Sequence, residues 1–124
     1  MSRILIVDDE KHIRLLLERA LKSLEEQGVE LLMADNGDEA MQAIVDKKPE
    51  LVFLDIMLPK MSGYDLCKTV KKEMGLDVYI IVVTAKGQDQ DKARGIEVGA
   101  DEYITKPFNP IELLSKAKEI LGLD

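Results

Sequence analysis

Short, mostly apolar runs alternate along the chain with longer stretches in which apolar residues return every three or four positions. The runs are Arg3 to Val7 (RILIV), Val29 to Ala34 (VELLMA), Leu51 to Leu54 (LVFL), Val78 to Val83 (VYIIVV) and Tyr103 to Thr105 (YIT). Runs of this kind predict strands buried on both faces of a sheet, and the β-branched VYIIVV predicts a central one. Between the first two runs, Ile13, Leu16, Leu17, Ala20, Leu21 and Leu24 fall at helical spacing, with Gly28 to close the helix. Asn36 with Glu39, and Ser62 with Asp65, are cap signatures. They predict helices through about Val45 and from Gly63 to about Glu73, the first broken by Lys47-Lys48-Pro49. Gln88 to Val98 predicts a weaker helix, poor in apolar residues and carrying Gly95. Asn109 and Pro110 open a last helix with Ile111, Leu114, Ala117 and Leu121 on one face.

Strands joined by helical crossovers imply a parallel sheet covered on both faces. The economical arrangement is an α/β, doubly wound, five-stranded sheet in the order 2-1-3-4-5, with five helices, as one domain over residues 1–124. Ligands of such sheets sit beyond the carboxyl ends of the strands, where the winding reverses, here between the first and third strands. Those strands run into Asp8-Asp9 and Asp55. The fourth ends at Thr84, and Lys106 follows the fifth.

Charge narrows the functions open to such a fold. The 24 acids against 17 bases leave a formal charge of −7, which argues against direct nucleic-acid binding and suits a cation site. Cys67 is the one cysteine, so the chain has neither a disulfide framework nor a thiolate metal cluster, and Cys67 reads as core packing. His12 falls on the exposed side of the first helix and reads as a surface residue. The N-terminus enters a strand without a signal peptide and no apolar run is long enough to span a membrane, so the expected location is the cytoplasm, away from any membrane.

Carboxylates converging on one crevice repel, so either their pKa values rise or a cation moves in. Oxygen donors without histidine or cysteine favour a hard cation, Mg²⁺ or Mn²⁺, with positions left open for phosphate oxygens. Lys106 adds an ammonium and Thr84 a hydroxyl, a set suited to holding a phosphoryl group. No Ser, His or Cys stands at the centre, and carboxylates do serve as phosphoryl acceptors, which leads to an aspartyl phosphate on Asp55.

The set Asp8-Asp9, Asp55, Thr84-Ala85 and Lys106-Pro107, in this order at the ends of these strands, resembles the receiver domain of two-component response regulators. The resemblance covers essentially the whole chain and implies a flavodoxin-like fold. It implies that Asp55 takes a phosphoryl group from a phosphohistidine on a sensor histidine kinase or phosphotransfer protein, or from a small donor such as acetyl phosphate. Asp9, Asp55 and the backbone carbonyl of Met57 are the implied Mg²⁺ ligands, with Asp8 acting largely through water. Lys106, Thr84 and the backbone amide of Ala85 are the implied phosphoryl-binding groups. Tyr103 stands at the position of the family's switch aromatic, turning inward as Thr84 moves, and the Lys106-Pro107 peptide is expected to be cis. Met57 and Lys86 stand where the family tunes loss of the phosphoryl group, and a bulky apolar Met57 predicts an acyl phosphate lasting minutes or longer.

Each residue also has a plainer reading. Asp8-Asp9 can cap a helix, Thr84 can end a strand, and Tyr103 can be an ordinary half-buried aromatic. Lys92, Asp101, Glu102, Glu112 and Lys116 alternate in sign on the fourth helix, fifth strand and fifth helix. They resemble the dimer face of winged-helix regulators, against the alternative of a solvated charged face. Two outputs follow: a stand-alone or relay receiver that switches this face toward a partner, or the N-terminal part of a winged-helix transcription regulator whose DNA-binding domain is absent from this chain. The family signals rather than turning over a substrate. A Mg²⁺-dependent aspartyl phosphatase would usually need a second acid two residues beyond Asp55, where Met57 stands. A flavin would want Ser, Thr and Gly after the first strand, where this chain is acidic.

Overall fold

In the computed structural model, residues 2–85 and 99–123 are described. The elements in chain order are β1 (Arg3–Val7), α1 (Lys11–Leu21), β2 (Glu30–Ala34), α2 (Gly37–Lys47), β3 (Leu51–Asp55), α3 (Gly63–Lys68), β4 (Tyr79–Ala85), β5 (Glu102–Lys106) and α4 (Pro110–Leu121). The helix expected over Gln88 to Val98 falls outside the described residues. The strands pair in parallel in the order β2-β1-β3-β4-β5, as the pattern predicts. No helix among the described residues is long and apolar enough to cross a membrane.

Every residue of β3 is buried, which is why its sequence is apolar without alternation. Successive residues nevertheless serve different layers. Leu5, Val7, Val52, Leu54, Ile80 and Val82 join the core under α2 and α3. Ile4, Ile6, Leu51, Phe53, Ile81 and Val83 join the core under α1 and α4. The period of two in a strand therefore fills two cores from one sheet.

The caps form as their residue types dictate. The Asn36 side chain accepts from the Glu39 N–H at 2.9 Å, the Ser62 hydroxyl from Asp65 at 3.2 Å, and the Asn109 side chain from Ile111 at 2.9 Å. Asp8 and Asp9 do not cap α1 in this way: Glu10 is its N-cap, without a side-chain bond. Two helices depart from simple periodicity. After Leu21 the first tightens into a 3₁₀ turn, Lys22–Gln27, before Gly28 closes it at φ 85°. The third continues beyond Lys68 as a π-type turn, Thr69–Glu73.

The faces differ at two positions. Leu17, Leu21 and Leu24 are buried, but Leu16 is 47% exposed. In α4, Leu113 and Ala117 form the buried seam and Ile111 is 79% exposed. Spacing alone accepts either neighbour of a helical stripe, and contact with the sheet selects one.

Candidate functional site at the carboxyl edge of the sheet

Parallel register carries the ends of β1, β3, β4 and β5 to one edge. There Asp8, Asp55 and Thr84 are almost fully buried, and Thr84 lies one ladder position before the Ala85–Lys106 pair. The Lys106 ammonium donates to Asp8 Oδ2 at 3.1 Å and lies 3.6 Å from Asp55 Oδ2. Asp55 Oδ1 accepts from the Met57 N–H at 3.3 Å. The Met57 side chain itself is 77% exposed. The Lys106-Pro107 peptide is cis.

Electrostatics at this edge is unbalanced. Burial, then the neighbouring Asp8 carboxylate, push the Asp55 pKa up to about 6, with Lys106 opposing. Burial works against the Lys106 ammonium, yet Asp55 and the hydrogen bond to Asp8 outweigh it and hold its pKa above the ordinary lysine value. One cation thus serves several acids, and a second, divalent cation would relieve the remainder.

The carboxylates of Asp8, Asp9 and Glu10 lie within 4.8 Å of one another. An all-oxygen donor set with negative charge to spare fits Mg²⁺ or Mn²⁺. Two members of this edge have no role in the sequence reading. Glu10 is exposed and stands beside Asp8 and Asp9, and the consecutive acids were its only signal. Arg14, one turn into α1, donates from Nη1 to the backbone carbonyl of Asp8 at 2.7 Å. It thereby ties α1 to the turn that presents the acids, and no local pattern announces such a contact.

A close backbone approach fixes the loop after Asp55. A Cβ on Gly63 would lie 2.4 Å from the Asp55 carbonyl oxygen and 2.8 Å from Ile56 Cα. The Gly63 N–H donates to the Ile56 carbonyl at 2.9 Å. The start of α3 therefore rests directly on the end of β3, where any Cβ would force the backbone apart.

Tyr103 is half-buried against the core under α2 and α3. Its hydroxyl lies 3.1 Å from that of Tyr64, 39 residues away.

Of the charged set expected as a dimer face, four members lie among the described residues. Lys92, like Lys86, lies outside the described residues. Asp101 is engaged within the domain: its Oδ2 accepts from Lys71 at 2.8 Å and from the Ile80 N–H at 2.8 Å. Glu102 pairs with Lys116 and accepts from the Tyr79 hydroxyl at 3.0 Å. Glu112 is exposed on α4. His12 is exposed, 3.6 Å from Glu10. Cys67 is fully buried, and burial pushes its thiol up to about 11.

Residues 4–118 match the response regulator receiver domain family. The chain is 50% identical over 119 residues to the phosphate regulon transcriptional regulatory protein PhoB of Pseudomonas aeruginosa, covering 95% of this chain and 51% of that protein. It thus spans about half the length of the curated relatives it matches. A two-component response regulator from Clostridium difficile superposes with a TM-score of 0.86 at 33% identity, covering 98% of this chain and 97% of the other. The response regulator DrrB of Thermotoga maritima, an OmpR/PhoB homologue, superposes at 0.84 and 34% identity, over 98% of this chain and 53% of that one. A match over nearly every described element, together with the acid, hydroxyl and ammonium groups at one sheet edge, identifies the chain as a member of the response regulator receiver domain family.

Proposed function

We propose that Asp55 accepts a phosphoryl group from a phosphohistidine of a sensor histidine kinase or phosphotransfer protein. A carboxylate oxygen of Asp55 attacks phosphorus, the P–N bond to the imidazole breaks, and the acyl phosphate remains on Asp55. At pH 7.5 a group with a pKa near 6 is mostly ionised, so the nucleophile is available without a separate base. Lys106, already within 3.6 Å of Asp55 Oδ2, offers its charge to the incoming phosphoryl oxygens. Thr84 and the Ala85 N–H, at the adjacent strand end, supply neutral donors.

Asp9, Asp55 and the Met57 carbonyl would hold Mg²⁺, with Asp8 engaged largely through water and Glu10 adding negative charge nearby. The ion supplies neutralisation of the charge that builds on the transferring group. The observation that carries this reading is the Lys106 ammonium set between two carboxylates from two other strands.

Mass spectrometry after incubation with acetyl phosphate and Mg²⁺ tests it. One added phosphoryl group is expected, absent in Asp55→Ala and absent without metal. Phosphorylation that persists in Asp55→Ala refutes the assignment. We expect the acyl phosphate to last minutes or longer, and phosphate release within seconds contradicts that expectation.

The domain acts as a cytoplasmic signalling switch, not as a turnover enzyme, and makes no direct contact with nucleic acid or membrane. The PhoB-like relatives favour a second element of the reading: output as the N-terminal receiver of a winged-helix transcription regulator. Phosphorylation would then favour a homodimer through the face bearing Glu102, Glu112 and Lys116, together with Lys92. Asp101 belongs to the same proposed face, exposed although paired with Lys71. Analytical ultracentrifugation with beryllofluoride decides this: a monomer at all concentrations refutes the dimer.

A further inference from the structure

The Tyr64 hydroxyl has a position that the acceptor chemistry does not require. Tyr64 is the second residue of α3, directly after Gly63, whose backbone rests on Asp55 and Ile56. The residue is 5% exposed and packed in the core under α2 and α3, so the hydroxyl is presented from a fixed base. Facing it at 3.1 Å is the hydroxyl of Tyr103, half-buried on the same layer.

Tyr103 is the register partner of Val82, and Thr84 is the partner of Thr105, two positions on. Side chains two apart share a face of a strand, so Tyr103 lies on the Val82 and Thr84 side of the sheet. A buried phenol hydroxyl favours ring positions in which it keeps a partner. The contact therefore favours a placement of Tyr103 that leans toward α3, on the face of the sheet that also carries Thr84. It also links β5, which ends in Lys106, to the start of α3, which contacts the carbonyl of Asp55.

We propose that Tyr64 is a positioning residue for the phosphorylation switch: its hydroxyl latches Tyr103 in the inward placement that accompanies phosphoryl binding at Asp55. The proposal rests on the acceptor reading above. A phenylalanine at position 64 keeps the ring and its packing but gives up the bond, so the inward placement loses a few-fold in population. Ligand affinity at Asp55 falls by the same factor, because the two equilibria are linked.

The chain has three tyrosines and no tryptophan, so [¹³Cζ]tyrosine NMR on the full chain yields three resonances, with Tyr79 as internal reference. Beryllofluoride with Mg²⁺ is the phosphoryl mimic, titrated by ¹⁹F NMR. Tyr64→Phe is expected to move the Tyr103 resonance without ligand, to leave Tyr79 in place, and to weaken beryllofluoride binding about 2- to 10-fold. Tyr103→Phe should weaken it by a similar factor, and the double variant no more than either single one. Unchanged affinity in Tyr64→Phe, tighter binding, or losses that simply add would overturn the latch. If the wild type binds no beryllofluoride, the acceptor reading and the coupling fall together. The ligand-free spectra then judge the hydroxyl contact alone, and an unmoved Tyr103 resonance removes that as well.

Discussion

The Lys106 ammonium stands 3.1 Å from Asp8 Oδ2, a contact between residues 98 positions apart in the chain. It joins the end of β5 to the end of β1 across two intervening strands, past Asp55. Since Asp8 is almost wholly buried, its charge is stabilised by this partner and by the Glu10 N–H, 2.9 Å from Oδ1, and little by solvent.

Removing that partner exposes the imbalance. In Lys106→Ala, Asp55 loses the charge that opposes burial and Asp8, so its pKa should rise above about 6. Carboxyl ¹³C NMR titration measures this directly, and an unmoved midpoint contradicts it. Phosphorylation by acetyl phosphate at pH 7 should slow at least about tenfold.

Stability should depend on pH with a sign set by Asp55. Its pKa is about 6 folded against an ordinary 3.8, so between those values the folded domain holds more protons than the unfolded chain. Without metal, this group's contribution to stability therefore falls as pH rises through that window and stays low above it. Asp55→Asn removes the penalty and should stabilise the domain at pH 7.5 in EDTA by about 2 kcal/mol, with little gain at pH 4. Urea denaturation at the two pH values checks it, and equal effects at both refute it.

Protons and Mg²⁺ should compete for the same carboxylate. Apparent Mg²⁺ affinity should be nearly flat above about pH 7 and drop toward tenfold per unit below about pH 6. Calorimetric titration across that range measures the slope, and a flat profile down to pH 5 removes Asp55 from the ligand set.

Gly63→Ala should do more harm than its one methyl group suggests. The new Cβ meets backbone atoms of Asp55 and Ile56, which cannot swing aside as a side chain would. A loss of about 1–3 kcal/mol is expected, with weaker Mg²⁺ binding because the acceptor's loop must shift. Wild-type stability in urea would show that the start of α3 is free to move away from β3.

Much of this was legible along the chain because burial leaves a pattern in sequence. A strand covered on both faces must be apolar at every position, so LVFL and VYIIVV announce themselves, and the first polar residue after each falls at the sheet edge. Caps are equally local, since Asn36 and Ser62 bond N–H groups only three residues on. Burial of Leu113 with exposure of Ile111, the π-type turn at Thr69–Glu73 and the capture of Asp101 by Lys71 were not legible. Each depends on a partner brought near by folding.

The local pattern along the chain is enough to set the number and order of the strands, the doubly wound class and the residue types delivered to one edge. It could do so because hydrophobic periodicity and cap chemistry act over a few residues. It takes the folded chain to bring Lys106 to Asp8, Arg14 to the Asp8 carbonyl, Glu10 to the other acids and Tyr64 to Tyr103. Those contacts close long loops, and their partners are selected by packing across the sheet, which no local run of residues encodes.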